Sequence, residues 1–128
     1  MKAYISCPCS HSKKRLALLP TTQSIAEKNG WETFVFLIGG TPAEIFKRDY
    51  NQLKSSDIII TEVSERSHGI GAEIGISFCL GLKRILLIEK GENLTKFILG
   101  MPDTVIVEYE NQKDLEKKLN EELVKIKK

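Results

Sequence analysis

No apolar run in this 128-residue chain reaches the roughly 20 residues that a helix needs to cross a bilayer, so no membrane partner is expected. Met1-Lys2 leads straight into a strand-like segment with no signal-peptide core, and the expected location is cytoplasmic. Cysteine is scarce: three residues, an odd number, fit reduced thiols better than a disulfide framework. Cys7 and Cys9 lie beside His11, but the spacing is C-x-C and no second Cys/His pair follows. Structural zinc is therefore not expected, and no metal is assigned. Cys79 falls in an apolar helical segment and reads as a small core residue. A net charge of +2 is too small to imply nucleic-acid binding. The basic tail, Lys125 to Lys128, reads as the solvated end of a helix, where cations suit the macrodipole. Three motifs are also missing. The turn before Glu73 is Gly69-Ile-Gly71 rather than G-x-G-x-x-G, and there is neither a G-x-x-x-x-G-K-[ST] loop nor a G-x-S-x-G elbow. A dinucleotide site, a P-loop and a hydrolase triad in its usual setting are thereby excluded, and no cofactor is expected.

What is present describes one domain over residues 1–128. Apolar residues at 41% and charged residues at 28% match an ordinary globular protein and argue against disorder. Strand patterns occur at Lys2 to Ser6, Trp31 to Ile38, Asp57 to Val63, Arg84 to Ile88 and Thr104 to Tyr109. Between them lie helical patterns. The first runs from Lys13 to Asn29 with Gly30 as a stop, and Pro20 either interrupts it or marks its true first turn. The second opens on Thr41-Pro42-Ala43-Glu44, with an N-cap, a proline and an acidic third position, and runs to about Ser55. Ala72 to Leu80 is a third, closed by Gly81, and a short one surrounds Thr95 to Leu99. The last spans about Gln112 to Lys127, with Asn111 as its cap and Leu115, Leu119, Leu123 and Ile126 in one stripe. Strands alternating with helices predict an α/β fold: a doubly wound, flavodoxin-like or Rossmann-like sheet of five parallel strands with helices on both faces.

The most informative stretch runs from Asp57 to Glu73. Ile58, Ile59, Ile60 and Val63 read as a central strand covered on both faces. Ser64 to Gly71 reads as a loop at its carboxyl end, where open α/β sheets bind ligands. Glu73 then falls in the first turn of a helix. There the dipole tends to lower its pKa, while Ile70, Ala72 and Ile74 push it up. Held still and poorly solvated, such a carboxylate is a good nucleophile; equally, it can simply cap its own helix. Asp49 is expected near the last turns of the preceding helix, an unfavourable place for an anion that suggests a partner or a role. Arg48 is the obvious partner, and a solvated surface position is the alternative.

Arg48-Asp49, the strand Asp57-Ile-Ile-Ile-Thr-Glu-Val63 and the turn Ser67-His-Gly-Ile-Gly-Ala-Glu-Ile-Gly75 resemble motifs of the nucleoside 2-deoxyribosyltransferase family. Within it the chain is most similar to the 2'-deoxynucleoside 5'-phosphate N-hydrolases. The resemblance implies that Glu73 attacks the anomeric carbon and expels the base. It implies that Asp49, 24 residues earlier, binds substrate and assists protonation of the leaving base, and that Tyr4 orients the nucleophile. Ser67 stands where transferases acting on free nucleosides carry Asp. A carboxylate there would repel a phosphate by several kcal/mol in a poorly solvated pocket, so Ser67 favours a 5'-phosphorylated substrate. Gly69 and the backbone amides after it can add donors. Thr95 aligns with a family serine that reaches the phosphate from a neighbouring subunit, which implies a homodimer or a higher oligomer. The family's G-S-x-R loop is replaced by Cys7-Pro-Cys-Ser-His-Ser-Lys13, in which Ser10, His11, Ser12 or Lys13 can supply equivalent donors. His68 reads as a solvent-facing loop residue. The expected function is hydrolysis of the N-glycosidic bond of a small-molecule nucleotide. Base exchange by the same intermediate is the enzymatic alternative, and a non-catalytic nucleotide-binding module is the other. Tyr4, Asp49 and Glu73 together weigh against the last.

Overall fold

A computed structural model of the chain describes residues 1–127; Lys128, the last residue of the basic tail, lies outside them. Five strands, β1 (Lys2–Ser6), β2 (Glu32–Val35), β3 (Ile58–Glu62), β4 (Lys83–Glu89) and β5 (Thr104–Tyr109), form one sheet in the order β2-β1-β3-β4-β5. Every neighbouring pair is parallel, as the alternating pattern of elements predicts. The central strand shows why: all of Ile58–Glu62 is buried, so both faces must be covered.

Helices α1 (Leu19–Lys28) and α5 (Gln112–Lys127) cover one face, where Ala3, Ile5, Ile58, Ile60, Leu115, Leu119 and Leu123 share a core. Helices α2 (Pro42–Lys54) and α3 (His68–Cys79) cover the other, with Tyr4, Ile59 and Leu53 in one cluster and Ile70, Ile74 and Leu86 in a second. A single-turn α4 (Lys96–Leu99) connects β4 to β5. The capping residues act as expected. Thr41 Oγ1 accepts from Glu44 N at 3.2 Å while Glu44 returns the bond to Thr41 N at 2.9 Å. Asn111 Oδ1 accepts from Asp114 N at 2.9 Å. No helix among the described residues is long and apolar enough to cross a membrane.

Several boundaries differ from expectation, each for a local reason. The expected helix from Lys13 to Asn29 divides into a 3-10 turn (Lys14–Leu18) and α1, with Pro20 in the first turn of α1, where its missing N–H is harmless. β2 stops at Val35 because β1 ends at Ser6. After the rung from Phe36 N to Ile5 O (2.9 Å) there is no strand left to pair with, and Leu37 and Ile38 are exposed. α3 begins at His68, four residues before the expected Ala72, because Ser67 caps it by accepting from Ile70 N at 3.3 Å. Gly69 and Gly71 therefore lie inside the helix. Cys79 is exposed rather than part of the core: the buried stripe of α3 is Ile70, Ile74 and Ser77, and Cys79 lies off it.

Candidate active site

Side chains two apart on a strand share a face. Tyr4 points to the α2/α3 side of the sheet, so Ser6 does too, and both meet Glu73 from α3. The Tyr4 hydroxyl donates to Glu73 Oε2, and Ser6 Oγ lies 3.0 Å from Glu73 Oε1. Ser6 is paired in register with Thr61 on β3, and their hydroxyls lie 2.8 Å apart. A serine has one hydrogen, and a carboxylate only accepts, so Ser6 donates to Glu73 and accepts from Thr61. Among the described residues no Lys, Arg or His forms an ion pair with Glu73.

Glu73 does not sit in the first turn of α3, which contains no acidic residue, so neither the capping alternative nor a dipole effect accounts for it. Its carboxyl is instead pushed up to about 7, chiefly by burial, with the negative charge of Asp49 adding to the effect. The hydrogen bonds from Tyr4 and Ser6 oppose this by favouring the ionised form. Burial first, then the Glu73 charge, raises the Tyr4 phenol well above its ordinary range, so Tyr4 remains a donor. The Cys7 thiol is pushed up to about 12, mainly by burial, so it stays a protonated thiol at neutral pH.

Asp49 lies in the second half of α2, within its last two turns as expected but ahead of the final one, where repulsion by the helix end has fallen off. Its Oδ1 accepts from Arg48 Nε at 3.2 Å, the pairing that its neighbour suggested. Glu73 and Asp49 line one cavity of about 220 Å³ at the carboxyl ends of β1 and β3. The chain winds to β2 on one side of this point and to β4 and β5 on the other, which is the topological switch of a doubly wound sheet. Ser10, Ser67 and Gly69 also line this cavity, with Cys7, Cys9, Ile45, Ile70 and Phe36 through Gly39. Tyr4 is buried beneath it.

Of the first-loop donors only Ser10 reaches this cavity. Ser12 is engaged with Glu65 Oε2 (3.2 Å) and Lys14 N (3.1 Å), and His11 and Lys13 are exposed. Thr95 does not join the Glu73 cavity. It caps α4 and lines a larger neighbouring cavity of about 570 Å³, which shares Ser67 and Ile70 as its wall and is bordered by Arg66 and His68. Ser6 and Thr61, which the sequence motifs do not mark, stand behind Glu73. The signal was available for Ser6, which stands two residues after Tyr4 on a strand, but Thr61 required knowledge of which strand pairs with β1.

A second polar cluster lies on the opposite face. Glu62 accepts from Ser64 N and Ser64 Oγ, both at 2.6 Å, and from the Tyr109 hydroxyl. Arg15 closes the cluster. Its Nε lies 3.9 Å from Glu62 Oε2 and 3.3 Å from Glu65 Oε2, and its Nη1 donates to Glu89.

No family model matches the chain. It is similar to a protein of Thermofilum pendens described as a candidate 2'-deoxynucleoside 5'-phosphate N-hydrolase 1, at 29% identity over 112 residues, 79% of this chain and 78% of that one. Among solved structures it is similar to a CMP N-glycosidase of Clostridium botulinum, with a TM-score of 0.72 and 27% identity over 94% of this chain and 99% of that one. A 2-deoxyribosyltransferase from Bacillus psychrosaccharolyticus shares the fold, with a TM-score of 0.70 and 20% identity over 91% of this chain and 90% of that one.

Proposed function

From its similarity to the nucleoside 2-deoxyribosyltransferase family, we propose that the chain is an N-glycosidase that hydrolyses (deoxy)nucleoside 5'-monophosphates to free base and (deoxy)ribose 5-phosphate. The observation that carries this reading is Glu73: a carboxylate with each oxygen held by one hydroxyl, with no cation on it among the described residues, lining a cavity with Asp49 and Ser67. The names of the Thermofilum and Clostridium proteins support the same reaction class.

In the first step a Glu73 oxygen attacks the anomeric carbon as the bond to the base nitrogen breaks. The base leaves with the bonding pair and takes a proton from Asp49 or from a water that Asp49 holds. The reaction passes through an oxocarbenium-like state, which the nearby carboxylate stabilises. In the second step water attacks the glycosyl ester, Asp49 accepts its proton, and Glu73 leaves as a carboxylate. Tyr4 and Ser6 aim the Glu73 oxygens throughout, and since each favours the ionised form they keep the nucleophile available at neutral pH. Ser67, already accepting at the start of α3, still has its hydrogen to donate to a phosphate oxygen. Ser10 and Gly69 border the same space. We assign the phosphate to this corner, with Thr95 reaching it from the adjoining cavity or from a second subunit.

A homodimer or higher oligomer is part of this reading. Phe46 on α2 and Phe78 on α3 are 60% and 47% exposed, large apolar side chains of the kind that a second copy covers. Incubating the protein with ribo- and deoxyribonucleoside 5'-monophosphates, with and without a second free base, tests the reaction. Release of sugar phosphate without added base supports hydrolysis, whereas products that appear only with the second base identify an exchange enzyme. Nucleotide binding without turnover, unaffected by Glu73→Ala, would leave the binding module as the answer.

A further inference from the structure

We propose that Arg48 is a positioning residue whose guanidinium latches the loop between β2 and α2 to Asp49, and so sets how large a base the Glu73 cavity accepts. This rests on the reading that the cavity takes a nucleotide. Three nitrogens of one side chain are engaged: Nε donates to Asp49 Oδ1 at 3.2 Å, Nη1 to Gly39 O at 3.1 Å and Nη2 to Leu37 O at 2.7 Å. The residues from Phe36 to Gly39 line the same cavity as Glu73 and Asp49, and Arg48 joins them to Asp49.

This wall has little else to hold it. Beyond the rung at Phe36 the sheet ends, Leu37 and Ile38 are exposed, and Gly39 and Gly40 have φ of +113° and +111°, where only glycine is comfortable. On the far side the chain is pinned by the Thr41–Glu44 capping box. Arg48 is the pin on the near side. Two carbonyls and a carboxylate bound by three separate nitrogens use the guanidinium's fixed fork of donors, which a lysine ammonium cannot reproduce. Because Asp49 is where the base leaves, the same contact that orients the acid also fixes the wall against which the base must fit. Releasing it frees the loop to move outward, admits larger bases and weakens ground-state positioning more than the chemical step.

The test uses Arg48→Lys and Arg48→Ala in the full chain. It measures kcat and KM for pyrimidine and purine nucleoside 5'-monophosphates, and amide hydrogen exchange at Leu37 to Gly40. Expected are a rise in KM of about tenfold in both variants, with kcat falling by less. The purine-to-pyrimidine ratio of kcat/KM should increase at least about fivefold, and exchange at 37–40 should quicken. Full recovery of wild-type constants by Arg48→Lys, an unchanged base ratio, or unchanged exchange in either variant overturns the latch. A wild-type protein that cleaves none of these nucleotides overturns the proposed reaction instead, and the exchange measurement still decides whether the loop is held by Arg48.

Discussion

Two acids at the carboxyl end of the same sheet, Glu73 and Glu62, have nearly the same hydroxyl donors and different prospects. Each takes a tyrosine hydroxyl, from Tyr4 and Tyr109, and each takes a serine hydroxyl, from Ser6 and Ser64. They lie on opposite faces, and among the described residues a cation joins only one of them. Glu62 has Arg15 beside it, Ser64 N as a further donor, and Glu65 and Glu89 sharing the same guanidinium. Glu73 has no such neighbour, borders an open cavity, and titrates near 7 because of burial. Hydroxyl donors orient both carboxylates; a cation ties Glu62 into the structure, and the lack of one at Glu73 is what the proposed reaction uses.

Substitutions break this comparison in measurable ways. Glu73→Gln keeps the shape and removes the proposed nucleophile, so kcat should fall on the order of 10³-fold or more, read by release of free base. The same change should also stabilise the protein at high pH. The Glu73 carboxyl titrates at about 7 in the fold, against about 4.3 in an unfolded chain. Its protonated form therefore prevails below both values, and the stability it contributes there is lost as pH rises through 7. Thermal unfolding should show Glu73→Gln about 3 to 4 kcal/mol more stable than wild type at pH 8, with no difference near pH 4.

Arg15→Met should do the reverse, costing about 3 kcal/mol in urea unfolding by leaving buried carboxylates without their cation. It should leave the pH dependence of turnover unchanged, since Arg15 does not touch Glu73. Tyr4→Phe is the milder lesion at the site. Loss of one hydrogen bond to a charged group, about 2 kcal/mol, should lower kcat roughly 30-fold. It should also move the acidic limb of the pH–rate profile upward, because the bond it removes favours ionised Glu73. An acidic limb that stays in place would separate Tyr4 from Glu73 in function.

Much of this arrangement was legible in the sequence. The strand at 58–62, the capping box at Thr41 and the leucine stripe of α5 are local patterns, and they formed where local chemistry placed them. Tyr4, Asp49, Ser67 and Glu73 were identified from motifs and do converge. The failures have a common cause. Glycine at 69 and 71 looked like a turn, yet the Ser67 cap allowed the helix to begin before them. Leu37 and Ile38 looked like strand, yet pairing depends on the neighbour's length rather than on their own propensity. Cys79 looked buried by its neighbours, but its place around the helix put it outside.

Taken alone, the order of apolar periods and breakers determined an alternating α/β chain and therefore a parallel sheet, because each crossover needs a helix to cover its face. Its motifs also marked Glu73 and Asp49, though not the place of Glu73 within α3. Only the tertiary structure decided that Ser6 and Thr61 support Glu73, that Arg48 ties a loop to Asp49, and that Arg15 finds Glu62 instead of Glu73. Those facts depend on which strands are neighbours and which face each side chain takes. They set the burial and the charges around each carboxylate, which no short stretch of sequence contains.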